Sequence, residues 1–345
     1  MRALVFYGPN QLELAEVPVP ELGPGDILVK VAACLICGTD LRIFRGKKTK
    51  GVRTPSILGH EFAGTVVAAG PDVGEFRPGD RVGVAPVIPC HTCAYCKKGR
   101  ENVCANRTAL GYEYEGAFAE YVRIPAAAVH GGNVYRLPAD LPFEAAALAE
   151  PLACCVNGQR NSQIGLGDAV VILGAGPIGL MHLALAKAAG AGRVIVSEPN
   201  DQRRSMALEL GADLVVNPEV EDLNGVVKNA TDRLGADAVI LAIGIPALAE
   251  QALTLVRKGG SVNFFAGFSV GDAASMDVNL IHYNELKITG TSAARREDYG
   301  LALRLIGKGL VDAGRIVTHR YPLDRGWEAF KLAESGQGIK VAIIP

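Results

Sequence analysis

Four thiols crowd into fifteen residues of this chain, in the run Cys90-His91-Thr92-Cys93-Ala94-Tyr95-Cys96 closed by Cys104. The spacing, C-x2-C-x2-C-x7-C, lets a short loop wrap a tetrahedral ion, with thiolates about 2.3 Å from Zn²⁺. Pro89 before the run and Lys97, Lys98, Gly99 and Arg100 within it mark an exposed, positively charged lobe, and positive charge favours thiolates. Disulfides belong to exported chains, and an iron–sulfur run closes on a Cys-Pro that is missing here. Structural zinc is therefore expected at Cys90, Cys93, Cys96 and Cys104. With all four positions filled, such a site does no chemistry. A second, open site can be assembled from Cys37, in Cys37-Gly38-Thr39-Asp40, with His60 and Glu61, in Gly59-His60-Glu61-Phe62-Ala63-Gly64. Cys, His and a carboxylate leave one position on zinc for water or substrate. Taken singly, Cys37 also fits a small buried hydrophobe and Gly59-His60-Glu61 a turn. Glu150 is a lone charge in the apolar stretch from Ala145 to Val156, and a buried carboxylate is costly unless a cation or metal faces it. Cys154 and Cys155 have no gap between them and read as core residues.

A third constellation lies further on. Ala169-Val170-Val171-Ile172-Leu173 leads into Gly174-Ala175-Gly176-Pro177-Ile178-Gly179 and then the helical pattern from Leu180 to Lys187. A buried strand, a G-x-G-x-x-G turn and a helix in that order form a dinucleotide-binding unit. Gly174 permits the tight turn, Gly176 lets pyrophosphate approach the backbone, and Gly179 lets helix and strand pack closely; Pro177 and Ile178 open the helix, whose N-terminus attracts the phosphates. Glu198 ends the next strand, Arg193 to Ser197, 19 residues beyond Gly179, where a carboxylate accepts hydrogen bonds from the adenosine ribose hydroxyls. NAD is expected over NADP. Arg203 and Arg204 could instead hold a 2′-phosphate, or simply lie on the solvated face of the helix from Asp201.

The elements that must position these groups follow from pattern. Strands and helices alternate through Leu214 to Val216, Leu223 to Leu234, Asp237 to Leu241, Ala247 to Arg257 and Ser261 to Phe265, a doubly wound parallel sheet, with Gly244 and Gly267 on its ligand-binding rim. Before it, short strands and Gly/Pro turns indicate a β-rich domain. After it, helices from Glu297 to Gly307 and Trp327 to Glu334 and a strand from Lys340 to Ile344 are too short to fold alone, so they should return to complete the first domain. Domains are expected at 1–155 with 290–345, and at 156–289. A chain of 345 residues suits two domains, and 35 Lys and Arg against 36 Asp and Glu give no field for nucleic acid or anionic lipid. The N-terminus reaches Gly8-Pro9 before a signal-length apolar core forms, and no apolar run approaches a membrane span, so a cytoplasmic protein is expected.

In this order the motifs resemble the zinc-dependent medium-chain dehydrogenases, and within them the polyol, sorbitol-type branch. The resemblance implies an α/β fold with a GroES-like β-barrel catalytic domain plus a Rossmann domain, the active site lying between them. It implies Cys37, His60, Glu61 and Glu150 around a catalytic zinc, and Cys90 to Cys104 around a structural one. Thr39 matches the family's Ser/Thr hydroxyl, which starts a proton relay; a helix cap is its other reading. It further implies hydride transfer between a secondary hydroxyl of a polyol or sugar-derived substrate and NAD, and a homo-oligomer, dimer or tetramer. Its alternatives are a polyol phosphate or a threonine-type amino alcohol. Family members often carry His five residues beyond the zinc cysteine; Arg42 stands there instead and could contact coenzyme phosphate or an anionic substrate. Specificity is expected from Leu41 to Arg45, Tyr112 to Phe118 and Ser292 to Arg296.

Features of two other classes are present. Gly267-Phe268-Ser269-Val270-Gly271 fits a serine hydrolase elbow, but an elbow runs straight into a helix, whereas Asp272 to Asn279 leads toward an extended segment, and His319 has no clear acid partner. A zinc-free structural or NADPH-sensing relative would not need the full set Cys37, His60 and Glu61.

Overall fold

Runs such as Ala169-Val170-Val171-Ile172-Leu173 have no polar face and must be covered on both sides. The computed structural model, which describes every residue except Val270, sets them side by side. Six strands lie in the order Leu214–Val216, Arg193–Ser197, Ala169–Leu173, Ala236–Leu241, Val256–Phe264 and Lys287–Gly290. Every neighbouring pair is parallel. The order reverses between Ala169–Leu173 and Ala236–Leu241, the switch point where such sheets take ligands beyond the strands' carboxyl ends. The strand Lys287–Gly290 was not foreseen. Nor was the helix Val278–Tyr283, expected to be extended: Asp277 accepts a hydrogen bond from Asn279 N–H at 2.8 Å and caps it.

The chain forms two units, Cys154–Ser292 and Met1–Ala153 with Ala293–Pro345. Their limits differ by a few residues from the expected ones for structural reasons. Gly290 is the last rung of the Lys287–Gly290 ladder, paired with Phe264, and the helix Ala149–Ser162 runs continuously through the other limit.

In the unit Met1–Ala153 with Ala293–Pro345, alternating residues build a seven-stranded sheet. Its path is Val134–Arg136, Arg81–Val84, Glu61–Ala69, Ile27–Leu35, Lys340–Ile344 and Val317–Pro322, with Tyr121–Ile124 also pairing with Ile27–Leu35. A second sheet joins Gln11–Glu16, Arg2–Gly8 and Ser56–Ile57. Ile27, Val29, Phe62, Val66, Phe118 and Phe330 contribute to the core of this unit. Burying each large apolar side chain there contributes about 1.5–3 kcal/mol. The C-terminal strand supplies an inner strand of this sheet, so the last residues of the chain belong with Met1–Ala153.

The core of the Rossmann unit holds one polar surprise. His182 on the helix Pro177–Ala188 is fully buried, edge-on to Phe265 at 4.6 Å, and neither ring nitrogen has a hydrogen-bond partner among the described residues. Burial drives its pKa down to about 3 from an ordinary value of 6.5. The folded protein thus binds the proton more weakly than the unfolded chain, and stability present above pH 6.5 is lost as pH falls toward 3. The slope is about 1.4 kcal/mol per pH unit in that window. Urea unfolding of His182→Leu should show a flatter acid limb than wild type between those limits; equal slopes would mean that the ring is solvated in the folded state.

Candidate active site

Strand register brings the first site together. Leu35 pairs with Glu61 and Cys34 with Phe62, so the end of Ile27–Leu35 lies beside the start of Glu61–Ala69. The next residues, Ile36 and Cys37, therefore emerge next to His60. Closing the group, Ala342 pairs with Leu35, and Ile36 N–H donates to the Val341 carbonyl at 2.9 Å, which brings Lys340 alongside. Ligand atoms of Cys37, His60 and Glu61 all lie within 4.8 Å of one another.

Asp40 aligns two members of this set. It is wholly buried, its Oδ2 accepts the Cys37 N–H at 2.9 Å, and its Oδ1 lies 3.3 Å from His60 Nδ1. A carboxylate on Nδ1 fixes the imidazole and leaves Nε2 as the donor to a metal. Cys37 itself is the N-cap of the helix Gly38–Phe44, so Thr39 is not the cap and its hydroxyl, half-buried one residue inside the helix, is left for other work.

Glu61 and Lys340 form a buried ion pair. Lys340 Nζ donates to Oε1 at 2.8 Å and lies 2.6 Å from Oε2, with neither side chain more than 5% exposed. Burial alone lowers the Lys340 pKa, but Glu61, Cys37 and Glu150 outweigh it and hold the ammonium charged. Burial likewise opposes a charged His60, yet Tyr112, Asp40 and Cys37 raise its pKa well above the usual value. Asp40 Oδ1, His60 Nδ1 and Glu61 Oε2 are buried without a well-formed hydrogen bond among the described residues. Such atoms around a thiol, an imidazole and a carboxylate fit a divalent cation, and this donor set suits zinc.

Glu150 stands outside that group of ligand atoms. It occupies the first turn of the helix Ala149–Ser162 and lines a small cavity with Pro86, Val87, Ala153, Arg295 and Tyr299. Its charge nevertheless acts on Tyr112 and Lys340, both neighbours of the set. Tyr112 packs its ring 5.3 Å from that of His60, and burial pushes its phenol pKa up, so it stays neutral.

The four lobe cysteines close a second group, also within 4.8 Å. Sulfur separations are 3.4 Å for Cys90 and Cys104, 3.5 Å for Cys93 and Cys96, and 3.8 Å for Cys93 and Cys104. A disulfide needs about 2.05 Å, and no cysteine of the chain is in one. A tetrahedron with zinc–sulfur bonds of about 2.3 Å has edges of about 3.8 Å, which these separations approach. The Cys90 thiol is lowered to about 5 by hydrogen bonds from Thr92 and the Cys93 backbone, not by the flanking lysines expected to do so. Glu101 anchors the lobe through a fork of hydrogen bonds from Arg296.

In the Rossmann unit, Gly174 has φ +101°, and a Cβ on Gly179 would meet the Gly174 carbonyl oxygen at 1.8 Å. Only glycine allows that turn and that helix-to-strand approach. Gly176 caps the helix that Pro177 and Ile178 begin, with open space where its side chain would be. Glu198, buried at the end of its strand, accepts N–H bonds from Ala175 at 2.8 Å and Asn200 at 3.0 Å, which fix it against the glycine loop. Gly244 and Gly267 face each other across two strand-end loops. Arg203 and Arg204 are only partly exposed, against the solvated-face reading: Arg204 donates to the Glu198 carbonyl at 2.7 Å and pairs with Asp201. The hydrolase alternative fails here, since no helix follows Gly271 until Val278; Val270 of that motif lies outside the described residues.

Family models agree with both halves of the chain. The alcohol dehydrogenase GroES-like domain matches residues 23–134 and the zinc-binding dehydrogenase domain residues 177–308. The chain is a zinc-dependent medium-chain dehydrogenase. An L-threonine 3-dehydrogenase of Pyrococcus furiosus is 40% identical over 336 residues, covering 96% of this dehydrogenase and 94% of the relative. A D-arabitol-phosphate dehydrogenase of Enterococcus avium is 36% identical, covering 97% and 94%. Among solved structures, a zinc-binding dehydrogenase from Sinorhizobium meliloti 1021 bound to NADP superposes with a TM-score of 0.93 at 34% identity, covering 100% and 99%. The fold class read from the sequence, GroES-like plus Rossmann, stands. The relatives' substrates match the amino-alcohol and polyol-phosphate alternatives better than a free polyol. Among the described residues, no helix is long and apolar enough to cross a membrane.

Asp40 and Lys340 were missed by sequence reasoning. Asp40 was visible as an acid three residues into a helix start, and Lys340 as the one charge in the apolar strand Lys340–Ile344. Removing one member of a buried ion pair costs about 3–5 kcal/mol. Lys340→Met should therefore destabilise zinc-free protein by roughly that amount in urea titration, and less once zinc gives Glu61 another cation. A loss below about 1 kcal/mol in both forms would mean that the pair is solvent-screened.

Proposed function

We propose that the dehydrogenase oxidises the secondary hydroxyl of a small alcohol bearing an anionic group, an amino alcohol of the threonine type or a polyol phosphate, with NAD as hydride acceptor. The observation that carries this reading is the three-donor set Cys37, His60 and Glu61, oriented by Asp40 and neutralised by Lys340. Zinc bound there would supply Lewis acidity that eases loss of an alcohol proton. Thr39, two residues from Cys37, would take that proton first. Glu150, at the cavity beside Arg295 and Tyr299, would assist as a second carboxylate. Cys90, Cys93, Cys96 and Cys104 would hold a second, structural zinc, so that each chain carries two.

For the coenzyme, Gly174 to Gly179 would cradle the pyrophosphate and Glu198 would accept from the ribose hydroxyls. The backbone N–H groups of Ala175 and Asn200 already hold the Glu198 carboxylate at the head of the loop, and Arg204 is occupied by Asp201 and the Glu198 carbonyl. That arrangement supports NAD, while the Sinorhizobium meliloti neighbour is bound to NADP. A homo-oligomer remains part of the proposal on family likeness alone.

The test is NADH formation from L-threonine, a pentitol and a pentitol phosphate by zinc-loaded enzyme, repeated with NADP. Wild type should favour NAD in kcat/KM, and Glu198→Ala should narrow the preference about tenfold or more, since a hydrogen bond to a charged group contributes about 1.5–3 kcal/mol. A wild type that favours NADP would assign the choice to Arg203 or Arg204. No turnover of any secondary alcohol would overturn the reaction class.

A further inference from the structure

The segment from Leu41 to Arg53 carries six cations, Arg42, Arg45, Lys47, Lys48, Lys50 and Arg53, and no acid. Two of them are matched elsewhere: Arg45 forks onto Glu334, and Arg53 pairs with Glu115 at 3.1 Å. Arg42, Lys47, Lys48 and Lys50 form no ion pair among the described residues. Of these, Lys48 is the one drawn toward the active site. It is half-buried, and its Nζ sits 4.8 Å from the centre of the Tyr112 ring, which also lies 5.3 Å from the His60 ring.

Charge accumulates around that ammonium. Burial lowers its pKa; Glu113 opposes this, while Arg107, Arg42 and Lys50 push the same way as burial. Glu113 is only partly available to Lys48, because its Oε2 accepts the Ala109 N–H at 2.9 Å. Nothing in the proposed reaction uses Lys48. A cation held on an aromatic ring, crowded by other cations and lacking a paired acid, is a ready anion site.

We infer that Lys48, with Arg42 beside it, is a specificity-determining cation that binds a phosphate monoester at the far end of a polyol substrate. The inference rests on the dehydrogenase reading above and narrows its substrate class. Lys48 and His60 both lie about one ring's reach from Tyr112, which puts the ammonium at the approach to the Cys37, His60 and Glu61 set. Several unpaired cations there suit a dianion better than a single carboxylate. The phosphate takes no part in the redox step: the carbinol carbon gives its hydride to NAD, the hydroxyl gives a proton to solvent, and the ester bond stays intact.

The experiment compares zinc-loaded wild type, Lys48→Met and Lys48→Arg with D-arabitol phosphate, D-arabitol and L-threonine, using NADH formation. Wild type should prefer the phosphorylated pentitol. Lys48→Met should lower the ratio of kcat/KM for phosphorylated over free pentitol by about 10–100-fold, mainly through KM, and Lys48→Arg should recover most of it. Inorganic phosphate should compete with D-arabitol phosphate in wild type and do so at least about tenfold less well in Lys48→Met, a readout that also works if the Met variant is poorly active. An unchanged ratio in Lys48→Met, or a wild type that prefers L-threonine or the free pentitol, overturns this inference while leaving the dehydrogenase reading intact. Failure of every secondary alcohol overturns both.

Discussion

Glu61 is fully buried, with its carboxylate 2.6 Å from the Lys340 ammonium and its ligand atom within 4.8 Å of those of Cys37 and His60. Carboxylates are almost never buried without a partner, because losing water costs them several kcal/mol. Here a strand that arrives last in the chain provides that partner, and its pairing with Ile27–Leu35 fixes where the ammonium stands. The same ladder sets Cys37 next to His60, and Asp40 then ties the Cys37 backbone to the His60 ring. Sheet register, capping and charge balance thus converge on one small volume. An error of one residue in the register would turn every ligand to the other face.

What could be read in the sequence was what is local. The glycine loop and the lobe cysteines are each confined to a few residues, and their spacing encodes the turn or the ion they serve. Cys37 and His60 with Glu61 were legible only as a set, since Cys, His and a carboxylate together match an open zinc site whereas each alone fits an ordinary core residue or turn. Lys340 was not, since its partner is 279 residues away and an isolated lysine at a strand end looks like a solvated one. The stretch from Tyr112 is expected near the substrate, but its contact with Lys48 was not legible: nothing near either residue announces that a ring and an ammonium will stack. The helix Val278–Tyr283 was misread because its Val and Ile residues favour strands and the Asp277 cap was overlooked.

The two units divide the chemistry in a way their architectures allow. A parallel sheet with a switch point and a glycine turn suits a dinucleotide, and the Ala175 N–H fixes the Glu198 carboxylate at the head of that turn. A mostly antiparallel sheet crossed by short loops can instead gather residues from distant segments, as Cys37, His60, Glu61 and Lys340 show. The lobe from Cys90 to Cys104 has no regular element longer than the helix Ala94–Lys97, so a bound ion is what could hold it in one shape. Its attachment through Glu101 and Arg296 connects that shape to the helix Arg296–Gly307.

Cys37, His60 and Glu61 are proposed to form an open metal site separate from the cysteine lobe. Anomalous diffraction at the zinc edge from crystals of the purified protein tests it directly. Two peaks per chain are expected, one among Cys90, Cys93, Cys96 and Cys104 and one touching Cys37 and His60 with Lys340 still against Glu61. A single peak in the lobe, with the Cys37 site empty in zinc-replete protein, would contradict the account.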